Sequence, residues 1–289
     1  MKFFQNVAFS ETDQLIEVAK IAEELGFFGL ATADHLITPE TINSTYPYAP
    51  DGKAWWDPNT HFPETWSMYS VLAQHTTNLH FMPTIYIVPM RDPFTLAKSI
   101  STAAYFSDNR VILGLGVGWM AEEFELTGQS WTNRGKRTDE MLEVMAKLMA
   151  GGMVEYHGTY YDFPPMQMAP AATKPVPVWV GGHTDPALRR AARNDGWIGV
   201  NYDFDEIVPL ITKVNEERKR AGTDHKPFDI FATLNEVPNA DTVKRLRDIG
   251  VTAYNNPPWL FNGIVTSDLA TKRATLEEFA EKLIRPING

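Results

Sequence analysis

Short apolar runs alternate with longer amphipathic runs eight times along this chain, and this alternation constrains the fold more than any other feature. The strand-like runs are FFQNVAF (3–9), FGLATAD (28–34), FMPTIYIVP (81–89), VILGLGVGW (111–119), VPVWVGG (176–182), GWIGV (196–200), FDIFATLN (228–235) and TAYNNPP (252–258). A helical pattern follows each run, the last of them near residues 271–284. Strands buried on both faces of a parallel sheet read as continuous apolar runs. Eight βα units therefore predict an α/β fold, a closed TIM (β/α)8 barrel, and favour it over an open doubly wound sheet.

Composition narrows the class of protein. We expect one domain over residues 1–289, since this length suits a single large barrel. The absence of cysteine excludes disulfides, thiolate catalysis and cysteine-ligated metals, and the histidines show no metal-ligand spacing. A net charge of −10 disfavours nucleic acid as a partner. No apolar run is long enough to cross a membrane and no export signal is visible, so we expect a cytoplasmic protein.

Two insertions interrupt the βα rhythm. Residues 35–64 are rich in proline, asparagine, tyrosine and tryptophan and follow the second strand. Because barrels place their chemistry at the carboxyl ends of strands, this insertion is predicted to be a lid, with a plain surface loop as the alternative. Its Tyr48, Trp55 and Trp56 suggest an apolar or planar substrate. The second insertion, near 152–172, is predicted to contain a hairpin that turns at His157–Gly158.

The stretch GLGVGW (114–119) has glycines at alternate positions. A dinucleotide-binding loop would need its glycines at a strand-to-helix turn, whereas Gly114, Gly116 and Gly118 are predicted inside a strand, on one face. Glycines on one strand face allow the close approach of a ligand or of another backbone. The alternative is tight packing of helices against the barrel wall.

The stretch VGGHTDPAL predicts a strand, a glycine turn and a helix that begins near Thr184 or Asp185. Successive backbone amides ahead of a helix N-terminus can bind an anion without lysine. Gly181, Gly182, His183 and Thr184 are thus a predicted phosphate site, with a capped helix that binds nothing as the alternative.

Three groups of polar residues could carry chemistry near the predicted barrel mouth. Asp34 and His35 end the second strand, and His35 could transfer a proton or could only hydrogen-bond a loop. The cluster of Arg134, Lys136 and Arg137 is the densest positive group near the predicted mouth. It also begins a helix whose outer face must be polar, and a solvated helix face is the favoured interpretation. Glu122 and Glu123 should not converge, because adjacent helical residues point about 100° apart.

The block RVILGLGVGWMAEEFELTGQSWTNRGKRTDEMLEVMAKLMAGG resembles the luciferase-like monooxygenase superfamily, and within it the class dependent on the deazaflavin coenzyme F420. The similarity extends to ATADHL, to IVPMRDPFTLAKSISTAAYFSDNR and to VPVWVGGHTDPALRRAARNDGWIG, and so covers most of residues 1–200. The resemblance implies a bacterial luciferase-like barrel with insertion loops.

The resemblance also implies roles for individual residues. It makes His35 the proton donor, with Asp34 beside the reactive ring. It implies a non-proline cis peptide at Thr84–Ile85 that supports the ring from behind, with an ordinary trans strand that begins at Pro83 as the alternative. Gly116 and Trp119 would lie on the neighbouring strand. The phosphate would lie at residues 181–184.

The predicted function is therefore hydride transfer between coenzyme F420 and a small organic substrate. One alternative is a luciferase-like monooxygenase that uses flavin mononucleotide (FMN), and another is a flavin-binding protein without turnover. The predicted partners are a small-molecule substrate and a second copy of the chain in a homodimer, with no metal, nucleic acid or membrane.

Overall fold

A computed structural model describes residues 1–49, 51–256, 259 and 268–289. Its strands are β1 (Lys2–Asn6), β2 (Gly29–Thr32), β3 (His80–Pro83), β4 (Tyr86–Ile87), β5 (Leu113–Gly116), β6 (Met153–His157), β7 (Asp162–Gln167), β8 (Val178–Gly181), β9 (Gly196–Tyr202), β10 (Asp229–Leu234) and β11 (Ala253–Asn256). Its α-helices are α1 (Leu15–Glu24), α2 (Thr65–Ala73), α3 (Pro93–Phe106), α4 (Ala121–Leu126), α5 (Arg134–Ala150), α6 (Asp185–Ala192), α7 (Phe204–Ala221), α8 (Ala240–Asp248), α9 (Leu269–Phe279) and α10 (Arg285–Asn288). A π-helical turn, Ala280–Ile284, joins the last two helices, and 3₁₀ turns span Thr12–Gln14 and Val88–Met90.

The strands form the predicted barrel. Nine strands pair in the order β3-β2-β1-β11-β10-β9-β8-β5-β4, and every pair is parallel. The sheet closes because the Phe81 N–H donates to the Arg110 carbonyl and the Ile112 N–H donates to the Phe81 carbonyl, each at 2.9 Å. Since β3 and β4 are consecutive parts of one barrel strand, the ring has the eight positions of a TIM barrel, and this prediction is confirmed.

The interior of the barrel is filled by side chains. One residue from each of the eight strand positions contributes to a buried cluster, namely Phe4, Ala31, Met82, Ile112, Trp179, Ile198, Phe231 and Ala253. A larger apolar layer lies between the strands and the surrounding helices. Because the interior is packed, a ligand has to bind at an end of the barrel rather than inside it.

Some predicted boundaries were wrong. The run 111–119 was expected to be one strand, but β5 ends at Gly116, and Gly118 lies in the following turn at φ +78°. Gly118 therefore does not share a strand face with Gly114 and Gly116. The run 81–89 is divided into β3 and β4, and α4 is a separate short helix whose bounds were not predicted, although Glu122 and Glu123 were taken as helical. The prolines that end the run 252–258 lie outside the described residues.

The insertions differ in structure. Strands β6 and β7 form an antiparallel hairpin, as predicted for the second insertion. The described residues of the first insertion, 35–49 and 51–64, contain neither helix nor strand. No helix in the described ranges has both the length and the apolar character needed to cross a bilayer.

Candidate active site

A cavity of about 260 Å³ opens at the carboxyl ends of β5, β8 and β9, beside the β3–β4 connection. We call it the inner cavity. All the predicted cofactor-contact residues except Asp34 line it: Thr84, Ile85, Gly116, Trp119, Gly181, Gly182, His183 and Thr184. The structure thus brings together residues that the sequence distributes over 100 positions. Val117, Ile198 and Val200 add apolar surface to its wall.

The wall glycines make room for the β3–β4 connection. A Cβ atom on Gly116 would lie 2.5 Å from Ile85 Cδ1, and one on Gly181 would lie 2.6 Å from Ile85 Cγ2. A Cβ atom on Gly114 would lie 2.0 Å from the Pro83 carbonyl oxygen. The alternative of packing against helices is therefore wrong for Gly114 and Gly116, whereas a Cβ atom on Gly118 would lie 2.9 Å from the Phe124 ring of α4. The Thr84–Ile85 peptide is cis, as the resemblance implied.

The turn at residues 181–184 leads directly into α6. Thr184 is the N-cap residue, and its side chain makes no capping hydrogen bond. Gly182 has φ +111°, which a residue with a side chain would rarely adopt. His183 is exposed, with Nδ1 3.1 Å from the Tyr202 hydroxyl. The turn and the helix N-terminus therefore form one edge of the inner cavity, as an anion site would require.

The basic cluster is not a uniformly solvated helix face. Arg137 is buried and donates to the Pro89 carbonyl at 2.7 Å. Arg134 lines the inner cavity, with its guanidinium carbon 3.5 Å from the centroid of the Trp131 ring. Only Lys136 is exposed. The favoured interpretation was therefore wrong for both arginines, and for Arg134 the alternative of a positive group at the barrel mouth is the one that agrees with the structure.

His35 is held by Glu123, a residue with no exposed surface. His35 Nδ1 lies 3.0 Å from Glu123 Oε2, and the Leu36 N–H donates to Glu123 Oε1 at 2.8 Å. A carboxylate only accepts hydrogen bonds, so with Glu123 ionised Nδ1 carries the hydrogen and Nε2 can exchange a proton. The sequence showed this glutamate in the EEF motif but gave no partner for it.

His35 does not line the inner cavity itself. Its ring contacts Trp56, Phe62 and Trp119, with centroids 5.0, 5.1 and 5.8 Å away, and Trp119 lines the cavity. The His35 side chain is only 8% exposed. The imidazole is therefore enclosed by aromatic rings beside the cavity, where bulk water has little access.

The Asp34 carboxylate is engaged by Arg91. The two side chains form a bidentate pair with N–O distances of 2.6 and 2.8 Å, and Asp34 also accepts from the Ile87 N–H at 2.9 Å. Burial alone would lower the pKa of Arg91, but the charge of Asp34 raises it above its ordinary value. Asp34 thus joins the end of β4 to Arg91, which follows the next 3₁₀ turn, and its predicted contact with a cofactor stays a prediction.

The first insertion is attached to α4 by Glu122. This carboxylate accepts from the Asn43 and Ser44 amides at 2.6 and 3.0 Å and from the Ser44 hydroxyl at 2.7 Å. Partial burial opposes ionisation, but these hydrogen bonds outweigh it and lower the pKa of Glu122. Glu122 and Glu123 therefore point to different partners, as predicted.

A second, wider cleft of about 600 Å³ adjoins the inner cavity. The two share Pro47, Tyr48, His183 and Tyr202 as lining residues. Burial raises the pKa values of Tyr48 and Tyr202, so both hydroxyls stay protonated. Within the described ranges, no group of three or more histidine or acidic residues could hold a metal ion.

Comparison with known proteins gives one family and several relatives. The model of the family described as luciferase-like monooxygenase matches residues 5–255. An uncharacterised protein of Mycobacterium tuberculosis is 38% identical over 291 residues, which cover 99% of this chain and all of the relative. The F420-dependent glucose-6-phosphate dehydrogenase of Amycolatopsis mediterranei is 23% identical over 220 residues, covering 73% of this chain and 61% of that enzyme.

Solved structures share the fold at low identity. A monooxygenase from Streptomyces bottropensis has a TM-score of 0.79 at 17% identity, with 99% of both chains covered. The coenzyme F420 dependent tetrahydromethanopterin reductase of Methanopyrus kandleri has a TM-score of 0.77 at 15% identity, again with 99% of both chains covered.

Proposed function

Because the chain belongs to the luciferase-like monooxygenase family, we propose that it is a coenzyme F420-dependent oxidoreductase that transfers a hydride to or from a small organic substrate. The chain is an oxidoreductase, and its family includes flavin and deazaflavin enzymes. The proposal is that its cofactor is the deazaflavin. It is supported by relatives named as F420-dependent dehydrogenases, which match 73% to 80% of this chain.

The observation that supports the proposal is the lining of the inner cavity. Its wall combines apolar surface from Ile85, Ile198 and Val200 with the indole of Trp119, which suits a planar ring. Its edge holds the 181–184 turn and Arg134, whose Nε is buried without a partner among the described residues. These donors suit the anionic group of a phosphorylated cofactor. The residues present therefore fit a flavin-type cofactor.

The chain's own residues bind and orient the cofactor, and they exchange a proton. When bound, the deazaflavin supplies a ring carbon that gives or takes a hydride. His35 exchanges the accompanying proton at Nε2, while Glu123 holds the hydrogen on Nδ1 and fixes the orientation of the ring. Trp56 and Trp119 exclude water from this proton path.

Cofactor titration tests the proposal. The purified protein is titrated with coenzyme F420 and, separately, with FMN, while fluorescence is followed. We expect tight binding of the deazaflavin and weak binding of FMN. Tight binding of FMN alone would contradict the proposal, and oxygen consumption with reduced FMN and a substrate would then indicate a monooxygenase.

Turnover is tested with the deazaflavin and a panel of small alcohols, aldehydes and unsaturated carbonyl compounds, followed by cofactor absorbance. His35→Asn should lower the rate of hydride transfer about 100-fold while cofactor affinity stays within two-fold. Full activity of this variant would remove His35 from the proton path. The predicted homodimer stays a prediction, which light scattering of the purified protein tests.

A further inference from the structure

The mouth of the barrel has two different halves, one level above the packed interior. Because side chains alternate along a strand, the residue two positions beyond each member of the interior cluster also points inward. On one half of the ring, Thr84 and Val200 occupy this level and line the inner cavity. On the other half, which runs from β10 through β11 to β1, the level is occupied by Thr233, Asn255 and Asn6. We call these three residues the polar arc.

Asn255 is buried in the polar arc with part of its amide unused. It is 1% exposed, and its Nδ2 donates to the Thr233 hydroxyl at 3.1 Å. Its Oδ1 is buried without a hydrogen-bond partner among the described residues. Asn6, in contrast, uses its Oδ1 to accept from the Ala8 N–H at 2.8 Å. A buried acceptor without a donor destabilises a fold, and a ligand that supplies the donor removes this cost.

The first insertion provides a complementary donor. Trp56 Nε1 is buried and has no acceptor within the part of the chain that the structure describes. The centroid of the Trp56 ring lies 5.0 Å from that of His35 and 6.1 Å from that of Trp119. The rings of Tyr46 and Phe62 contact it at 5.2 and 5.9 Å. The insertion therefore places a flat apolar surface with one unused N–H beside His35.

The charged groups near this part of the mouth are engaged by the protein. Asp34 is paired with Arg91, and Glu123 contacts His35. Arg134 lines the other half, at the inner cavity. The polar arc itself contains two amides and a hydroxyl, and burial of an ionic ligand against uncharged groups is unfavourable. An uncharged acceptor, an uncharged donor and an aromatic surface suit a neutral molecule that carries a polar oxygen.

We propose that the substrate is an uncharged molecule with a flat apolar body and one hydroxyl or carbonyl group, and that Asn255 and Trp56 select it by hydrogen bonds to that group. That the molecule bound here is the substrate rests on the proposed function, whereas the binding chemistry does not. A carbonyl oxygen accepts from the indole N–H, and a hydroxyl group can in addition donate to Asn255 Oδ1.

Three ligands that differ in one group test the proposal: 2-naphthalenemethanol, 2-methylnaphthalene and 2-naphthoate. Each is titrated into the protein loaded with reduced cofactor under argon, so that the alcohol is not oxidised, and binding is followed by ligand-observed NMR. We expect the wild type to bind the alcohol at least about ten-fold more tightly than the carboxylate, because the carboxylate loses solvation without a countercharge.

Variants of similar shape assign the selection to the two residues. Asn255→Leu should weaken the alcohol about 5- to 10-fold and leave the affinity for 2-methylnaphthalene within two-fold. Its urea midpoint should not fall, since Oδ1 has no partner to lose among the described residues. Trp56→Phe removes the N–H and should weaken the alcohol more than the hydrocarbon. Asn78→Leu, at an exposed asparagine before β3, is the control and should change neither affinity.

Three results would overturn the proposal. Equal weakening of the alcohol and the hydrocarbon by Asn255→Leu would mean that Asn255 only supports the shape of the mouth. Tighter binding of the carboxylate than of the alcohol would mean that the site selects an anion. No binding of either neutral ligand to the wild type would remove the site. If circular dichroism shows that Asn255→Leu fails to fold, Trp56→Phe with the same ligands decides.

The outcome is separable from that of the proposed function. If FMN binds instead of coenzyme F420, the proposed function fails, and the same titrations with reduced FMN still measure selection by Asn255. If neither cofactor binds, the three ligands are titrated into the cofactor-free protein with the same expected order. If coenzyme F420 binds and Asn255→Leu weakens both neutral ligands equally, only the present proposal fails.

Discussion

Glu123 shows how one buried side chain can fix the candidate proton path. It accepts from the Leu36 and Ile37 amides at 2.8 and 3.4 Å, and it contacts His35 Nδ1 at 3.0 Å. Glu123→Ala would leave these donors buried without an acceptor, so we expect a loss of about 2–4 kcal/mol in unfolding free energy. Glu123→Gln keeps one carbonyl acceptor and should lose about half as much. Urea denaturation followed by circular dichroism measures both.

The exposed Glu125 on the same helix provides the matched control for Glu123. Glu125→Gln should change the unfolding free energy by less than about 0.5 kcal/mol. If Glu123→Ala were equally mild, the hydrogen bonds to residues 35–37 would not be important for stability.

The sequence identified His35 but not its partner, and the reason is physical. His35 and Glu123 are 88 residues apart, and only closure of the barrel brings the end of β2 to the start of α4. Helical periodicity places Arg134 on a polar helix face but does not show what that face meets. Local patterns thus predict which residues can do chemistry, whereas pairing between distant residues depends on the folded structure.

Strand β5 has to be free of side chains where it meets the β3–β4 connection. A Cβ on Gly116 would overlap the end of the Ile85 side chain, so this side chain, which lines the inner cavity, would have to shift. We therefore expect Gly116→Ala to lower cofactor affinity about ten-fold and stability by about 1–3 kcal/mol. Titration and urea denaturation measure the two effects.

A double variant tests this explanation. Ile85→Ala removes the atoms that Gly116→Ala would meet, so the combined variant should be more stable than the sum of the two single effects predicts. Additive losses would show that the two residues do not interact. Gly114→Ala meets the Pro83 carbonyl instead of a flexible side chain and should be more damaging in either background.

The first insertion should loosen from α4 in acid, because Glu122 holds it while ionised. The pKa of Glu122 is lowered on folding, so its stabilising contribution is complete above the ordinary value of 4.5 and is lost as pH falls through the lowered value. Hydrogen exchange of the Asn43 and Ser44 amides, corrected for the intrinsic rate, should therefore accelerate below about pH 4.5. Glu122→Gln should exchange fast at neutral pH and show little further change.

Circular dichroism over the same pH range separates release of the loop from unfolding of the barrel. Equal protection of the two amides in wild type and Glu122→Gln at pH 7 would mean that other contacts hold the insertion.

The eight barrel strands were predictable because strands buried on both faces show as apolar runs, and the approximate place of each helix followed. The ends of the strands were not predictable. Strand β5, for example, ends at Gly116, before the chain turns toward α4 at Gly118. The bounds of the short α4 were not predictable, although Glu122 and Glu123 were taken as helical, because six residues give too little helical periodicity to delimit a helix. The hairpin of β6 and β7 was found because its alternation and turn signals are local.

Residues at the amino end of the barrel stabilise the fold, whereas the inner cavity lies at the carboxyl end. Arg110 lies at the amino end, just before β5, and is nearly buried. Its guanidinium donates to the Ala73, Thr76 and Ser107 carbonyls, which lie at the ends of α2 and α3, and also to Leu79. Burial lowers the pKa of Arg110, but its hydrogen bonds are satisfied inside the protein, unlike those of Arg134.

Arg110→Met should therefore lower the unfolding free energy by about 3–5 kcal/mol, because several buried carbonyls lose their donor at once. Cofactor affinity, measured well below the unfolding midpoint of the variant, should stay within two-fold, since Arg110 is at the opposite end from the inner cavity. Arg134→Met should do the reverse, with weak binding and nearly unchanged stability. If Arg110→Met weakened binding of a folded protein as much as Arg134→Met, the two ends would be coupled through the packed interior. Stability and recognition could then not be assigned to opposite ends of the barrel.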